Sequence, residues 1–264
     1  MKKSGFSGLV FLLISFCAYS QVTTKLPEPK ADKYYFSAAG KDILHTATFP
    51  RYLKKEDVPF LIGGLTSTLF FLPADEAVAE AMFKNQSEAL TDFCQIALDP
   101  WGNGIYTLPV FGLTWLAGSI ADDDRSKWVG LQGSKATILA MAVSRVPKFF
   151  FQRHRPDEND INAYQFEGPF KGFTGNYSFP SGHSFIAFAA VSSVAPELQD
   201  KKWLVVAMYS LASAVALSRV YQTEHWLTDA VGGAVSGYVF GRFLWRLDNW
   251  KVSKSARKNR IKLE

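Results

Sequence analysis

His225 and Asp229 stand four residues apart in the stretch RVYQTEHWLTD, which closes a long run of Ala, Val, Leu and Ser. On a helix that spacing puts both side chains on one face, close enough to touch. A carboxylate beside an imidazole fixes the ring tautomer and stabilises the imidazolium, leaving the second ring nitrogen to attack or to take a proton. Arg219 lies six residues before His225, across the connection that feeds this helix. A second group, FPSGHS, runs from Phe179 to Ser184 and opens another apolar segment. Ser181 is a natural helix cap there, and Gly182 lets backbone approach a ligand closely. Free amides at a helix start, aided by the helix dipole, form an anion site, over which His183 would sit. The third group is KFFFQRHRP, Lys148 to Pro156. Lys148 and Arg155 are seven apart, two helical turns, so both are expected on one face, with Pro156 ending the helix and biasing Arg155 away from helical geometry.

Taken singly, each group also fits a plain structural role: basic residues at headgroup level, a turn and cap with an interfacial histidine, a helix end with one ion pair. Taken together they supply three fixed cations, a backbone anion nest, a histidine with its carboxylate and a second histidine. That set suits phosphoryl transfer through an enzyme nucleophile. No Walker glycine loop and no Asp, His or Cys cluster suited to a metal is visible, so neither metal nor cofactor is expected.

The elements that would position these groups are apolar segments bounded by charge: 58–73, 105–121, 136–151, 184–198, 203–220 and 226–245. Between the first two, DEAVAEAMFKNQSEALTDFCQIAL has the spacing of one amphipathic surface helix. No alternating period of useful length occurs, so the chain is expected to be all-α, a bundle of about six core helices. Only 203–222 and 226–245 approach the roughly twenty residues of a membrane span. The small-residue spacing in GGAVSGYVFG permits close helix approach in lipid. The bundle is expected to be membrane-embedded or membrane-associated, although the mean hydropathy is only near zero.

The ends differ from this domain. MKKSGFSGLVFLLISFCAYSQ has the basic start, apolar run and small residues of an export signal, expected to be cleaved after Ser20. Residues 21–55 then form a polar, Lys-rich arm, residues 56–245 the helical domain and residues 246–264 a basic tail. With the leader removed Cys94 is alone, so no intrachain disulfide is expected. The net charge of +5 is concentrated at the tail, which suits a solvated end or an anionic membrane surface. No nucleic-acid signature is present, and no nucleic-acid partner is expected. The leader implies export, whereas Arg51, Lys54, Lys55 and the basic tail favour cytoplasmic ends. The site is expected in the cell envelope, facing the periplasm.

Lys148, Arg155 and Pro156, then Pro180 to His183, then Ser218, Arg219, His225 and Asp229 resemble the three-part signature of the type 2 phosphatidic acid phosphatase and vanadium haloperoxidase superfamily, in its bacterial membrane-associated phosphatase branch. The resemblance covers residues 56–245 and keeps the order and spacing of the signature. It implies His225 as the nucleophile forming a phosphohistidine, Asp229 as its orienter and His183 as general acid for the leaving alcohol. It implies Lys148, Arg155 and Arg219, with Ser181 and the Gly182 amide, as the phosphate cradle. The implied activity is metal-independent hydrolysis of a phosphate mono- or diphosphate ester, foremost of a lipid. A soluble periplasmic acid phosphatase of broad range and a vanadate-dependent haloperoxidase are the alternatives.

Overall fold

In the computed structural model, residues 57–169 and 177–261 are described, together with Thr46, Lys55 and Gly175. The leader and nearly all of the polar arm lie outside the described residues. Pro59 falls in the first turn of α1 (Val58–Phe71), where its missing N–H costs nothing. A short turn through Pro73 leads to α2 (Asp75–Asn85), with Asp75 and Glu76 in its first turn and Lys84 in its last, complementing the helix dipole. Gln86 is extended and the Ser87 hydroxyl caps α3 (Glu88–Phe93). The stretch expected as one amphipathic helix is therefore two, because a good N-cap residue interrupts it. A wide turn over Cys94–Leu98 then delivers α4 (Asp99–Gly102).

α5 (Thr107–Ile120) and α6 (Asp124–Val143) form an antiparallel pair, and α7 (Arg145–Phe151) follows. The segment expected at 136–151 is thus displaced. α6 begins twelve residues earlier, at Asp124, capped by the Asp123 carboxylate on the Arg125 amide. It ends before Pro147, which has no N–H to give to Val143. Next come α8 (Gly182–Val194), α9 (Lys202–Tyr221) and α10 (Leu227–Ile261). α10 runs on through the residues set apart as a basic tail. Among the described residues the chain is all-α, and its β pairing is one isolated bridge between Arg153 and Phe166.

α8 is the axis of the bundle. Every residue from Ser184 to Val194 is buried, which is the pattern of a helix apolar on all sides and packed all round. Phe188 and Val191 pack with Val215 and Ala216 of α9 and Val239 of α10. Phe185 and Ala189 pack with Ala136 and Ala140 of α6 and Phe240 of α10. Gly233, Gly237 and Gly241, each one turn apart on α10, lie against the carbonyls of Ser181, Phe185 and Ala189, each one turn apart on α8. A Cβ on these glycines would fall 2.4, 2.2 and 2.3 Å from those oxygens. Glycine is what lets the two backbones meet, and the contact fixes the start of α8 beside the start of α10.

The outward faces are apolar. Leu69, Phe70, Leu113, Ile120, Val146, Phe150, Trp203 and Val206 are all exposed, a large set of outward apolar side chains spread over four helices. Among the described residues two helical stretches, Val58–Asn85 and Lys202–Tyr221, are long and apolar enough to cross a membrane.

Candidate active site

The three sequence groups meet at one end of the bundle. The Ser181 amide donates to the Asp229 carbonyl at 2.9 Å, joining the start of α8 to the start of α10. The Ser181 hydroxyl accepts from the Ser184 amide, which leaves the amides of Gly182 and His183 as the open donors of the first turn. Lys148 stands over this helix start: a Cβ on Gly182 would lie 3.9 Å from its Nζ. That Nζ is held by the Tyr177 carbonyl at 2.7 Å. Lys148 and Arg155 do not share a helical face as expected. α7 stops at Phe151, and Gln152 takes a left-handed conformation (φ 43°) that turns the chain away. Lys148 therefore approaches from a helix and Arg155 from an irregular connection.

His225 precedes α10 rather than riding on it, so its pairing with Asp229 is not the helix-face contact expected. Asp229 is in the first turn, where its Oδ2 accepts from the Trp226 amide at 3.0 Å, the carboxylate half of a capping box. The same oxygen lies 3.6 Å from His225 Nδ1. The Ser178 hydroxyl sits between them, donating to Asp229 and lying 3.4 Å from Nδ1. With Nδ1 turned to this pair, Nε2 is the ring nitrogen that faces away from them. Arg219 projects from the last turn of α9. Asp99 holds its Nη1, Glu224 lies 3.4 Å from its Nη2, and its buried Nε has no partner. Glu224 also accepts from Arg155 Nη1.

All eight residues singled out from the sequence, Lys148, Arg155, Ser181, Gly182, His183, Arg219, His225 and Asp229, are thus brought to one place. The partners that hold them were not read from the sequence. Arg153, 1 % exposed, donates to Asp229 Oδ1 at 2.6 Å and to Asp75 Oδ2 at 2.7 Å. Asp75 in turn accepts from the Thr228 amide. Arg153 and Glu224 each lie inside one of the quoted groups, whereas Asp75 and Asp99 carry no local signal.

The electrostatics are those of a cradle waiting for an anion. Lys148, His183 and His225 lie outside both candidate spans. Burial lowers the Lys148 ammonium to about 8, with Arg155 adding to the effect. Burial lowers His183 to about 3, reinforced by Arg219, His225, Lys148 and Arg155. His225 is lowered to about 4 by burial, which outweighs the pull of Asp229. Both imidazoles are therefore neutral at pH 7. That suits a nucleophile at His225, whereas a general acid at His183 needs the charge of a bound phosphate to bring its proton. Among the described residues no group of three His, Cys, Asp or Glu side chains is placed to hold a metal ion.

Residues 134–253, which carry all three groups, match the PAP2 superfamily. They are a PAP2 superfamily domain. Two curated relatives are lipid A 1-phosphatases. The one from Porphyromonas gingivalis is 33% identical over 44% of this chain and 24% of its own length, so this chain spans about a quarter of it. The one from Rhizobium johnstonii is 28% identical over 72% of this chain and 83% of its own. A solved transmembrane PAP2-type phosphatidylglycerolphosphate phosphatase from Bacillus subtilis shares the fold. It superposes with a TM-score of 0.55 at 23% identity, covering 75% of this chain and 96% of that one. These relatives are named as phosphatases, and the three PAP2 groups of this chain are assembled in one site.

Proposed function

We propose that this PAP2 protein removes phosphate from a phosphorylated lipid, through a phosphohistidine at His225 and without a metal ion. The observation that carries the reading is the unpartnered, buried Arg219 Nε, set in a cradle with Lys148, Arg155 and the open start of α8. A buried cationic donor left without an acceptor is costly, and a phosphate oxygen supplies the missing partner. The lipid assignment rests on the exposed apolar side chains, among them Val146 and Phe150 on α7 close to Lys148, and on the lipid A 1-phosphatases among the relatives.

The His225 Nε2 lone pair attacks phosphorus while the P–O ester bond breaks, and Asp229 stabilises the imidazolium that forms. Lys148, Arg155, Arg219 and the α8 amides take the charge on the equatorial oxygens. The leaving alkoxide receives the proton that phosphate binding placed on His183. Neutral His183 then accepts a proton from water, whose oxygen attacks phosphorus, breaks the P–N bond and releases inorganic phosphate with His225 restored. A site facing the periplasm is part of this reading, supported by the export-signal character of residues 1–20. Phosphate release from lipid A, phosphatidylglycerophosphate and an aryl phosphate, assayed on detergent-solubilised protein in excess chelator, tests the reading. Turnover on a lipid substrate should persist, and activity restored only by a divalent ion would contradict it.

A further inference from the structure

Glu224 is an acid inside a cationic cradle, and the phosphoryl-transfer scheme gives it nothing to do. Its Oε2 accepts from Arg155 Nη1 and lies 3.4 Å from Arg219 Nη2, so one carboxylate spans two of the three cations assigned to phosphate. Asp99 contacts Arg219 in a different way. It is buried, it also binds Ser218 and Gln222, and it grips Nη1 from behind. Asp99 is part of the frame. Glu224 side-chain atoms are 37% exposed, at the mouth of the site. Its amide donates to the Arg219 carbonyl at 3.1 Å, and the next amide, that of His225, donates to the same oxygen at 3.2 Å. Backbone hydrogen bonds thus tether the carboxylate beside the guanidinium pair, and its side chain is partly open to solvent.

A phosphate oxygen and a carboxylate oxygen compete for the same donors, and two anions side by side on them repel. On the phosphatase reading above, we infer that Glu224 is a built-in competitor for the phosphate group: it occupies the outer donors of Arg155 and Arg219 in the empty site and is displaced when a phosphate enters. A tethered competitor acts at high effective concentration. It lowers the affinity for substrate and for product phosphate alike, while the α8 amides, Lys148 and Arg219 Nε remain to hold the transition state. Weak binding of the ground state raises KM without lowering kcat, and it lets inorganic phosphate leave.

The test compares the full chain in detergent with Glu224→Gln and Glu224→Ala, using hydrolysis of an aryl phosphate inhibited by inorganic phosphate, and Arg219→Ala as reference. Both Glu224 variants should bind inorganic phosphate about tenfold more tightly and show a KM lowered by a similar factor. An unchanged inhibition constant, or one raised because the carboxylate serves to hold the arginines in place, would overturn the inference. The two readings fail separately. Turnover lost in Arg219→Ala with no effect of Glu224→Gln removes only the competitor role. A wild-type chain that neither hydrolyses the ester nor binds phosphate removes both.

Discussion

Lys148 is the residue whose charge most directly reports whether the cradle is filled. Empty, it is lowered to about 8 by burial, with Arg155 next to it. A bound dianion supplies the opposite charge and raises it. The sign follows: anion affinity is level well below pH 8, where Lys148 is already charged, and falls as pH rises through about 8, by up to about tenfold per pH unit. Sulfate, which stays a dianion throughout, is the clean probe. Its inhibition of turnover should weaken between about pH 7 and 9, and Lys148→Gln should bind sulfate weakly with that step removed. A sulfate profile that is flat in the wild-type chain would mean Lys148 does not face the anion. The eight site residues were legible in the sequence because each lies in a short run where residue type and spacing carry the chemistry. Asp75 and Asp99 were not, since their partners lie 153 and 120 residues away and no local pattern marks an acid that folding will bury against an arginine.

At the scale of elements, catalytic geometry rests on α8 and α10 meeting along glycines. Ser181 caps the one and His183 rides on its first turn, His225 leads into the other and Asp229 rides on its first turn, and the carbonyl of Phe185 leaves no room for a methyl at position 237. Gly237→Ala should cost about 1–3 kcal/mol through forced separation of the helices, against the usual gain of Ala over Gly in a helix. Turnover should fall with it. Gly112→Ala, where a Cβ meets nothing within 4 Å, should be neutral or slightly stabilising. Thermal unfolding in detergent, read beside activity, checks the pair. The small-residue spacing on α10 was readable as close packing, although its partner helix was not. The displaced start of α6 has a plain cause: Trp128, Gln132 and Lys135 mix polar with apolar, so the first half of that helix lacked the continuous hydrophobic run that drew attention to 136–151. Its break at Ser144 follows from Pro147, whose effect was assigned instead to Pro156.

For the whole molecule, the question is which side of the membrane the site faces. The ends of α7, α8, α9 and α10 that carry the cradle lie together, so one accessible position reports for all. Asn159, in the connection after Arg155, is exposed, and Cys94 is buried. A single cysteine at Asn159 on a Cys94→Ser background should react with a membrane-impermeant thiol reagent in intact spheroplasts. Labelling only after the inner membrane is broken would place the site in the cytoplasm.

The claim on which the account turns is that His225 carries the phosphoryl group, because every contact around Asp229, from Ser178 to Arg153 and Asp75, serves to present that ring. Rapid quenching of the solubilised enzyme with substrate labelled in its phosphate tests it most directly. The account predicts protein-bound label that survives alkali, is lost in acid, maps to His225 and is absent from His225→Ala. Turnover by the wild-type chain with no such species, or label carried by another residue, would contradict it.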